Sequence, residues 1–453
     1  MAQSDLVLSR YLVFSQATYR HPTGRQLRAV FHTGRARTLL LDTGTVRTLL
    51  DGPGPAGLPA DEQARLAELG LLVPADTDET AATIDAGAQA ADSARHRQFV
   101  LMPTGYCNMG CDYCGQEHRR DTPATRPTRH RDAIAARVEH AMASGEHDTV
   151  VVRWFGGEPL MGYAVLRSLS ARFVAAAARH RVGYSAMLVT NGALLDARKL
   201  RTLHLDCRVD RMEITIDGPA EVHDAARPLK SGQGSFHRIT AALRTVLTDP
   251  ELAGLQVTVR TNIGRHNADR ADEFAAAMRD AGLADPRIRF YPAPVHSWGN
   301  DVSEVRLRQQ QAAETELRWY AAYLAAGLHC RLLPTHPVRV VCTAVSRHSE
   351  VIAPDGRIYS CTEQPLVPGF TGQHLDTVDQ APVDQLRPTG QFDDWYTGLR
   401  AGETGCQGCP ILPVCGGACP KLWREGSPPC PPMKENLADR IDLFVRSSGL
   451  LPV

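Results

Sequence analysis

Twelve cysteines, ten of them in recognisable groups, constrain this chain more than any other feature. Three stand on one short stretch, Cys107-Asn-Met-Gly-Cys111-Asp-Tyr-Cys114. Seven follow in the last third: Cys342, Cys361, Cys406, Cys409, Cys415, Cys419 and Cys430. A disulfide framework belongs to exported chains, and the N-terminus, MAQSDLVLSRYLVF, lacks a basic segment leading into an apolar run and a cleavage site. The thiols therefore read as metal ligands or catalysts in a cytoplasmic protein. Three ligands complete neither a tetrahedral zinc site nor a four-iron cluster, so the first group either borrows a remote ligand or leaves one iron open. A zinc ribbon would use four of the later seven and leave three idle.

At 453 residues the chain suggests two or three domains. Fifty Lys and Arg balance fifty Asp and Glu, so no net field draws in nucleic acid or an anionic membrane, and no apolar run is long enough to span a bilayer. Residues 1–72 alternate short apolar runs (Tyr11–Phe14, Thr38–Leu41) with turn residues and end in a helical stretch, Asp61–Leu71, which reads as a small α+β module. Residues 73–96 are rich in Ala, Asp and Thr without apolar period and read as a linker.

Over residues 97–300, strand-like runs appear at Phe99–Pro103, Val150–Phe155, Ala186–Thr190, Met212–Ile216, Leu255–Thr261 and Ile288–Tyr291. Helix-patterned stretches such as Arg131–Ala143 and Ala268–Ala281 separate them. Such repeats predict an α/β fold with a parallel sheet, here a partial (β/α)6 barrel, with ligands gathered at the carboxyl ends of the strands. A helix over Glu304–Ala326 lies in a bridging segment, 301–341. Cys, Gly and Pro dominate 342–435, which needs a staple other than a hydrophobic core, and 436–453 is a C-terminal helix or tail.

The residues just past the strands carry the motifs. After the first stands the cysteine loop, with Tyr113 before its third thiol, and after the second Gly156-Gly157-Glu158-Pro159. Glycines there let the chain turn sharply and bring backbone acceptors against a ligand ammonium. The third strand ends at Asn191, and the fourth in Thr215-Ile216-Asp217-Gly218, with His223, Asp224 and Arg227 beyond; Asn262 follows the fifth. Taken singly, each is equally a cap or turn residue. Together the CxxxCxxC spacing, GGEP and the stretch from Thr215 to Arg227 resemble the radical S-adenosylmethionine superfamily, with Thr215 in place of the usual serine.

That resemblance implies a 4Fe-4S cluster on Cys107, Cys111 and Cys114, whose open iron chelates the methionine of S-adenosyl-L-methionine. It implies one-electron cleavage of that cofactor to a 5′-deoxyadenosyl radical, with GGEP and Glu158 receiving the amino group. Tyr113, Asn191, Thr215, Asp217, Arg227 and Asn262 would be further cofactor-binding residues. The pattern Cys342-x13-Gly356-x4-Cys361, then Cys406-x2-Cys409-x5-Cys415-x3-Cys419, then Cys430 resembles the SPASM domain, which implies two auxiliary 4Fe-4S clusters and three clusters in all. Carried over residue by residue, the outer cluster takes Cys406, Cys409, Cys415 and Cys430, and the inner one Cys342, Cys361 and Cys419. For the inner fourth ligand three alternatives stand: Cys330 across a loop stiffened by Pro334 and Pro337, an iron open to substrate, or His336. Cys207 matches no motif and reads as a buried thiol.

Relatives with a SPASM domain mostly modify peptides, so the resemblance implies a maturase of a ribosomally made precursor peptide, reduced by a flavodoxin or ferredoxin. A formylglycine-forming sulfatase maturase would carry an aspartate directly after the cysteine equivalent to Cys361, where Thr362 stands here. A non-catalytic iron-sulfur carrier or sensor would need the clusters but not GGEP. Residues 1–72 resemble a winged-helix leader-binding module, which would offer a strand edge to an extended peptide; a simple docking module is the alternative. His296, Trp298 and Glu363 are candidate substrate contacts, with ordinary core packing the other reading of the first two.

Overall fold

Each of the six apolar runs becomes a strand, and the six pair in parallel in chain order: β1 (His96–Leu101), β2 (Thr149–Trp154), β3 (Gly183–Thr190), β4 (Val209–Thr215), β5 (Gln256–Ile263) and β6 (Ile288–Pro294). This computed structural model describes residues 5–120 and 127–453; Met1–Ser4 of the expected N-terminal module and residues 121–126 of the expected barrel lie outside the described residues. Val100, Val152, Leu188, Ile214 and Val259 are buried along successive strands. Helices such as Tyr163–His180 and Ala271–Asp280 connect the strands, as parallel pairing requires.

The sheet does not stop at six strands. β7 (His329–Cys330) runs parallel beside β6 with Cys330 opposite Phe290, and β8 (Ser349–Ile352) runs parallel beside β1 with Ile352 opposite Leu101. From β8 the chain turns through Asp355-Gly356 into antiparallel β9 (Arg357–Tyr359), which pairs with β10 (Asp376–Thr377). Gly356 adopts φ +79° in that turn, which gives the glycine between Cys342 and Cys361 a plain backbone reason. No apolar run announces β8, because its second residue is Glu350. That carboxylate is fully buried and answered by two buried guanidinium groups, Arg97 at 2.5 Å and Arg137 at 2.8 Å.

The chain divides into two compact units. The larger, Asp92–Arg331 with Cys342–Asp393, holds this ten-stranded sheet. The smaller comprises residues up to Ala91, Leu332–Val341 and Asp394–Val453. The expected module at 1–72 is therefore not a unit by itself, and the expected domain at 342–435 is divided between the two. In the smaller unit, antiparallel strands Leu12–Arg20, Gln26–His32 and Arg37–Asp42 are joined by Leu451–Pro452 on the far side of Leu12–Arg20. Helix Met433–Ser447 lies against Leu12–Arg20. Its Asp442 accepts the Gln16 and Ala17 N–H groups at 3.0 and 3.2 Å and the Tyr19 hydroxyl.

Two expectations need correction. The linker reading of residues 73–96 fails, because Glu79–Ala91 is an α-helix. Alanine is the strongest helix former although it gives no apolar period, and Gly87 lets the helix sit against the Tyr396 ring, where a Cβ would stand 2.4 Å away. The helix expected over Glu304–Ala326 spans Gln309–Ala325. Before it, the Val305 carbonyl accepts the Arg265 N–H at 2.8 Å, which pins that segment as a turn.

Candidate active site

The strand ends of the larger unit surround one cavity of about 180 Å³. Cys107, Cys111, Tyr113 and Cys114 reach it from the loop after β1, Gly156 and Gly157 from the turn after β2, and Asn191 from the end of β3. Thr215 ends β4, Asn262 lies near the end of β5, and His296 and Trp298 come from beyond β6; all four contribute to the wall, as does Arg227. The cysteine loop is strapped in place: Met109 bridges Leu229, the Gly110 N–H donates to the Pro228 carbonyl, and the Lys230 N–H to the Asn108 carbonyl.

Gly156 and Gly157 are needed for close approach. Cβ atoms there would stand 2.7 Å from the Thr104 carbonyl oxygen and 2.6 Å from that of Tyr106, both backbone atoms that cannot swing aside. Glu158 and Pro159 are buried, but they are not on the cavity wall. The Glu158 carboxylate accepts the Leu160 N–H at 2.9 Å, the Thr190 hydroxyl at 2.7 Å and the Asn191 N–H at 2.7 Å, tying the ends of β2 and β3 together. In this arrangement it shapes the site from behind.

Asp217 also stands behind the wall, fully buried. It accepts the Asn262 N–H at 2.8 Å and the Tyr113 hydroxyl, and Arg227 approaches it at 3.6 Å. The same Tyr113 oxygen accepts from Arg227 and from the Asn262 amide, the latter at 3.0 Å. One phenol thus clasps the cysteine loop to the ends of β4 and β5. Glu213 and Arg260 share the wall and were not anticipated. They stand two residues before Thr215 and Asn262, so the two-residue period of a strand would have placed them on the same face. Tyr291 joins them, its hydroxyl donating to Glu213 at 3.1 Å.

On the substrate side His296 and Trp298 stack at 6.0 Å between ring centroids, and His296 Nε2 lies 3.2 Å from Glu363 Oε1. Neither His296 nor Trp298 is a core residue: both are partly exposed and line the cavity. Glu363 in turn donates its N–H toward Cys361 Sγ at 3.4 Å.

Burial pushes the three loop thiols up, Cys111 to about 12, against which the Arg227 charge acts on each. Among the described residues no three His, Cys, Asp or Glu side chains group as the site of a single metal ion. The thiols are instead distributed around a cavity, and this suits a cluster, in which each thiolate takes a different iron. In the smaller unit Cys406, Cys409, Cys415 and Cys430 line one small cavity with Trp423 and Lys434. The remaining candidates are spread more widely. Cys342 and Cys361 belong to the larger unit and Cys419 to the smaller. Cys330 is held in β7 and is not on a free loop, and Cys207 is buried, as a packed thiol should be.

Residues 101–248 match the family model described as the Radical SAM superfamily. Among solved structures, anSMEcpe with bound AdoMet and the Kp18Cys peptide is similar at 14% identity, covering 78% of this chain and 98% of that one, with a TM-score of 0.57. The same protein with AdoMet alone gives 13% identity, the same coverage and 0.56. SuiB of Streptococcus suis covers 93% of this chain and 97% of its own at 14% identity and a TM-score of 0.48. Among curated sequences, the uncharacterized protein sll1766 of Synechocystis sp. is 26% identical over 358 residues, 73% of this chain and 85% of that protein. The chain therefore carries a Radical SAM domain, set in a mixed α/β fold with a large parallel sheet.

Proposed function

We propose that a chain carrying this Radical SAM domain is a radical S-adenosylmethionine oxidoreductase that matures a ribosomally made precursor peptide. The observation that carries the reading is the convergence of Cys107, Cys111 and Cys114 with Gly156, Gly157, Thr215, Arg227 and Asn262 on one cavity at the strand ends. Cluster and cofactor, when bound, supply one-electron cleavage of S-adenosylmethionine and hydrogen abstraction. The three thiolates would hold the cluster iron, and the Gly156-Gly157 backbone, with no side chains in the way, would accept from the cofactor ammonium. Thr215 and Arg227 would bind its polar groups and Asn262 would face the adenosine. Phe155, Val189 and Val295 give that wall an apolar part that keeps water out.

Support for a peptide substrate comes from anSMEcpe, which shares the fold and is seen with a peptide bound. His296 and Trp298 would contact such a peptide, with Glu363 holding His296; that both rings line the cavity supports this. Thr362 in place of an aspartate speaks against formylglycine formation. We assign the outer auxiliary cluster to Cys406, Cys409, Cys415 and Cys430 as the resemblance implies, and their shared cavity supports it. An extended leader would add to Arg37–Asp42, the edge strand of the smaller unit's sheet, where Leu40 is 40% exposed. Among the described residues no helix is long and apolar enough to cross a membrane.

The test is anaerobic reconstitution with iron and sulfide, then dithionite, cofactor and the peptide encoded by a short neighbouring reading frame. Formation of 5′-deoxyadenosine with a mass change in the peptide is expected. Clusters without any 5′-deoxyadenosine would instead indicate an electron carrier or sensor.

A further inference from the structure

The cysteine loop has an outer side as well as the one facing the cavity. Tyr106 directly precedes Cys107, and two exposed cations lie over its ring: Lys230 Nζ at 4.7 Å from the centroid and the Arg120 guanidinium at 5.5 Å. Lys230 is not on a loose tether, since its own N–H is bonded to Asn108 and Leu229 bridges Met109. Neither cation lines the cofactor cavity, although Gln116 and His118 from the same stretch do. The neighbouring Arg119 is paired with Glu117 at 2.6 Å, which leaves Arg120 and Lys230 as the two cations of this patch among the described residues. The whole chain has as many acidic as basic residues, so this patch does not simply reflect an overall basic surface.

A cation held on an aromatic face at an exposed site is fixed in position while its charge stays accessible. Redox encounters between proteins bury little area and depend on complementary charge for orientation and on-rate. We propose that Tyr106, Arg120 and Lys230 form the docking surface for a small acidic one-electron carrier protein that feeds the cysteine loop. The inference rests on the radical S-adenosylmethionine reading, which needs one electron per cleavage. That electron leaves the carrier, which is oxidised by one unit, and is consumed in breaking the sulfonium carbon–sulfur bond; no proton is taken up.

The experiment compares the reconstituted full-length protein with the double variant Arg120→Glu, Lys230→Glu, using an acidic bacterial flavodoxin as probe. Two quantities are read: the Kd of labelled oxidised flavodoxin at low and high salt, and 5′-deoxyadenosine formation driven by reduced flavodoxin or by dithionite. Wild-type binding should weaken with salt, and the variant should bind about tenfold more weakly at low salt. Flavodoxin-driven cleavage should fall by a similar factor while dithionite-driven cleavage is unchanged, and Lys230→Arg should behave as wild type. An unchanged Kd, or an equal loss with both reductants, would overturn the assignment. A wild-type protein that binds flavodoxin as expected but gives no 5′-deoxyadenosine with dithionite would refute the radical reading and leave the docking surface standing.

Discussion

The Tyr113 hydroxyl meets Asp217, Arg227 and the Asn262 amide together. A phenylalanine there leaves a buried carboxylate and a buried guanidinium each one partner short, and a hydrogen bond to a charged group is worth about 1.5–3 kcal/mol. Tyr113→Phe should therefore weaken S-adenosylmethionine binding at least about tenfold while the iron content is kept, as equilibrium dialysis and iron analysis would show. An unchanged Kd would remove the clasp from cofactor positioning. His223 makes a second prediction at this scale. It is fully buried, accepts the Asp217 N–H at 3.2 Å and lies 2.9 Å from the Ser235 hydroxyl; burial first, then the Arg227 charge, hold it down to about 4. An unfolded histidine titrates near 6.5, so between roughly pH 6.5 and 4 the unfolded chain takes up a proton that the folded one refuses. The stability that this neutral histidine contributes is complete above that window and is lost as pH falls through it, by roughly a few kcal/mol. His223→Gln should flatten the pH dependence of the unfolding midpoint across the window; an unchanged slope would contradict this. That Cys107, Cys111, Cys114 and Gly156 would meet on one cavity was legible, because each directly follows a strand of the alternating pattern. The placement of Glu158 behind the wall was not, since it depends on where β3 sets the Thr190 hydroxyl and the Asn191 N–H.

Among the elements, β8 shows most clearly why a sequence can hide a strand. Ser349-Glu350-Val351-Ile352 carries a carboxylate where a central strand buries its side chains, and it is accommodated only because Arg97 from β1 and Arg137 from the helix Pro127–Ala143 pair with Glu350 from two sides. The Glu79–Ala91 helix was hidden differently: its buried face is Thr80, Ile84, Gly87 and Ala91, and a single large apolar side chain among them gives no apolar period. Breaking a buried ion set by removing one partner costs about 3–5 kcal/mol, so Glu350→Ala should lower the thermal midpoint sharply and loosen β1, which leads into the cysteine loop. Hydrogen exchange that stayed slow in β1 of this variant would argue against it. The leader proposal is testable on the strand Arg37–Asp42. Leu40→Lys keeps the sheet, because the side chain is exposed, but should reduce leader-dependent peptide modification while uncoupled cofactor cleavage persists. Equal activity on full-length precursor would show that the edge is not used.

At the scale of the whole molecule, the smaller unit is built from both ends of the described chain, so deleting residues 1–72 would remove the support for Met433–Ser447 as well as any leader site. A point change separates the two effects. Asp442 is buried and accepts from Gln16, Ala17 and Tyr19, so Asp442→Ala should destabilise this unit by about 2–4 kcal/mol without touching Cys107, Cys111 or Cys114. Differential scanning calorimetry should show the loss in one transition, and loss in none would mean the helix is held by other means. This shared construction was not legible, because nothing in residues 5–50 names a partner lying some 400 positions away, whereas the alternation of strand and helix over 97–300 is local and reads directly. The same feature sets a timetable. A ribosome adding about 5–20 residues per second finishes Leu12–Arg20 roughly 20–90 s before Met433–Ser447 and Leu451–Pro452 arrive to flank it. During that interval the ten-stranded sheet can close while the first sheet made waits without the helix that packs against it.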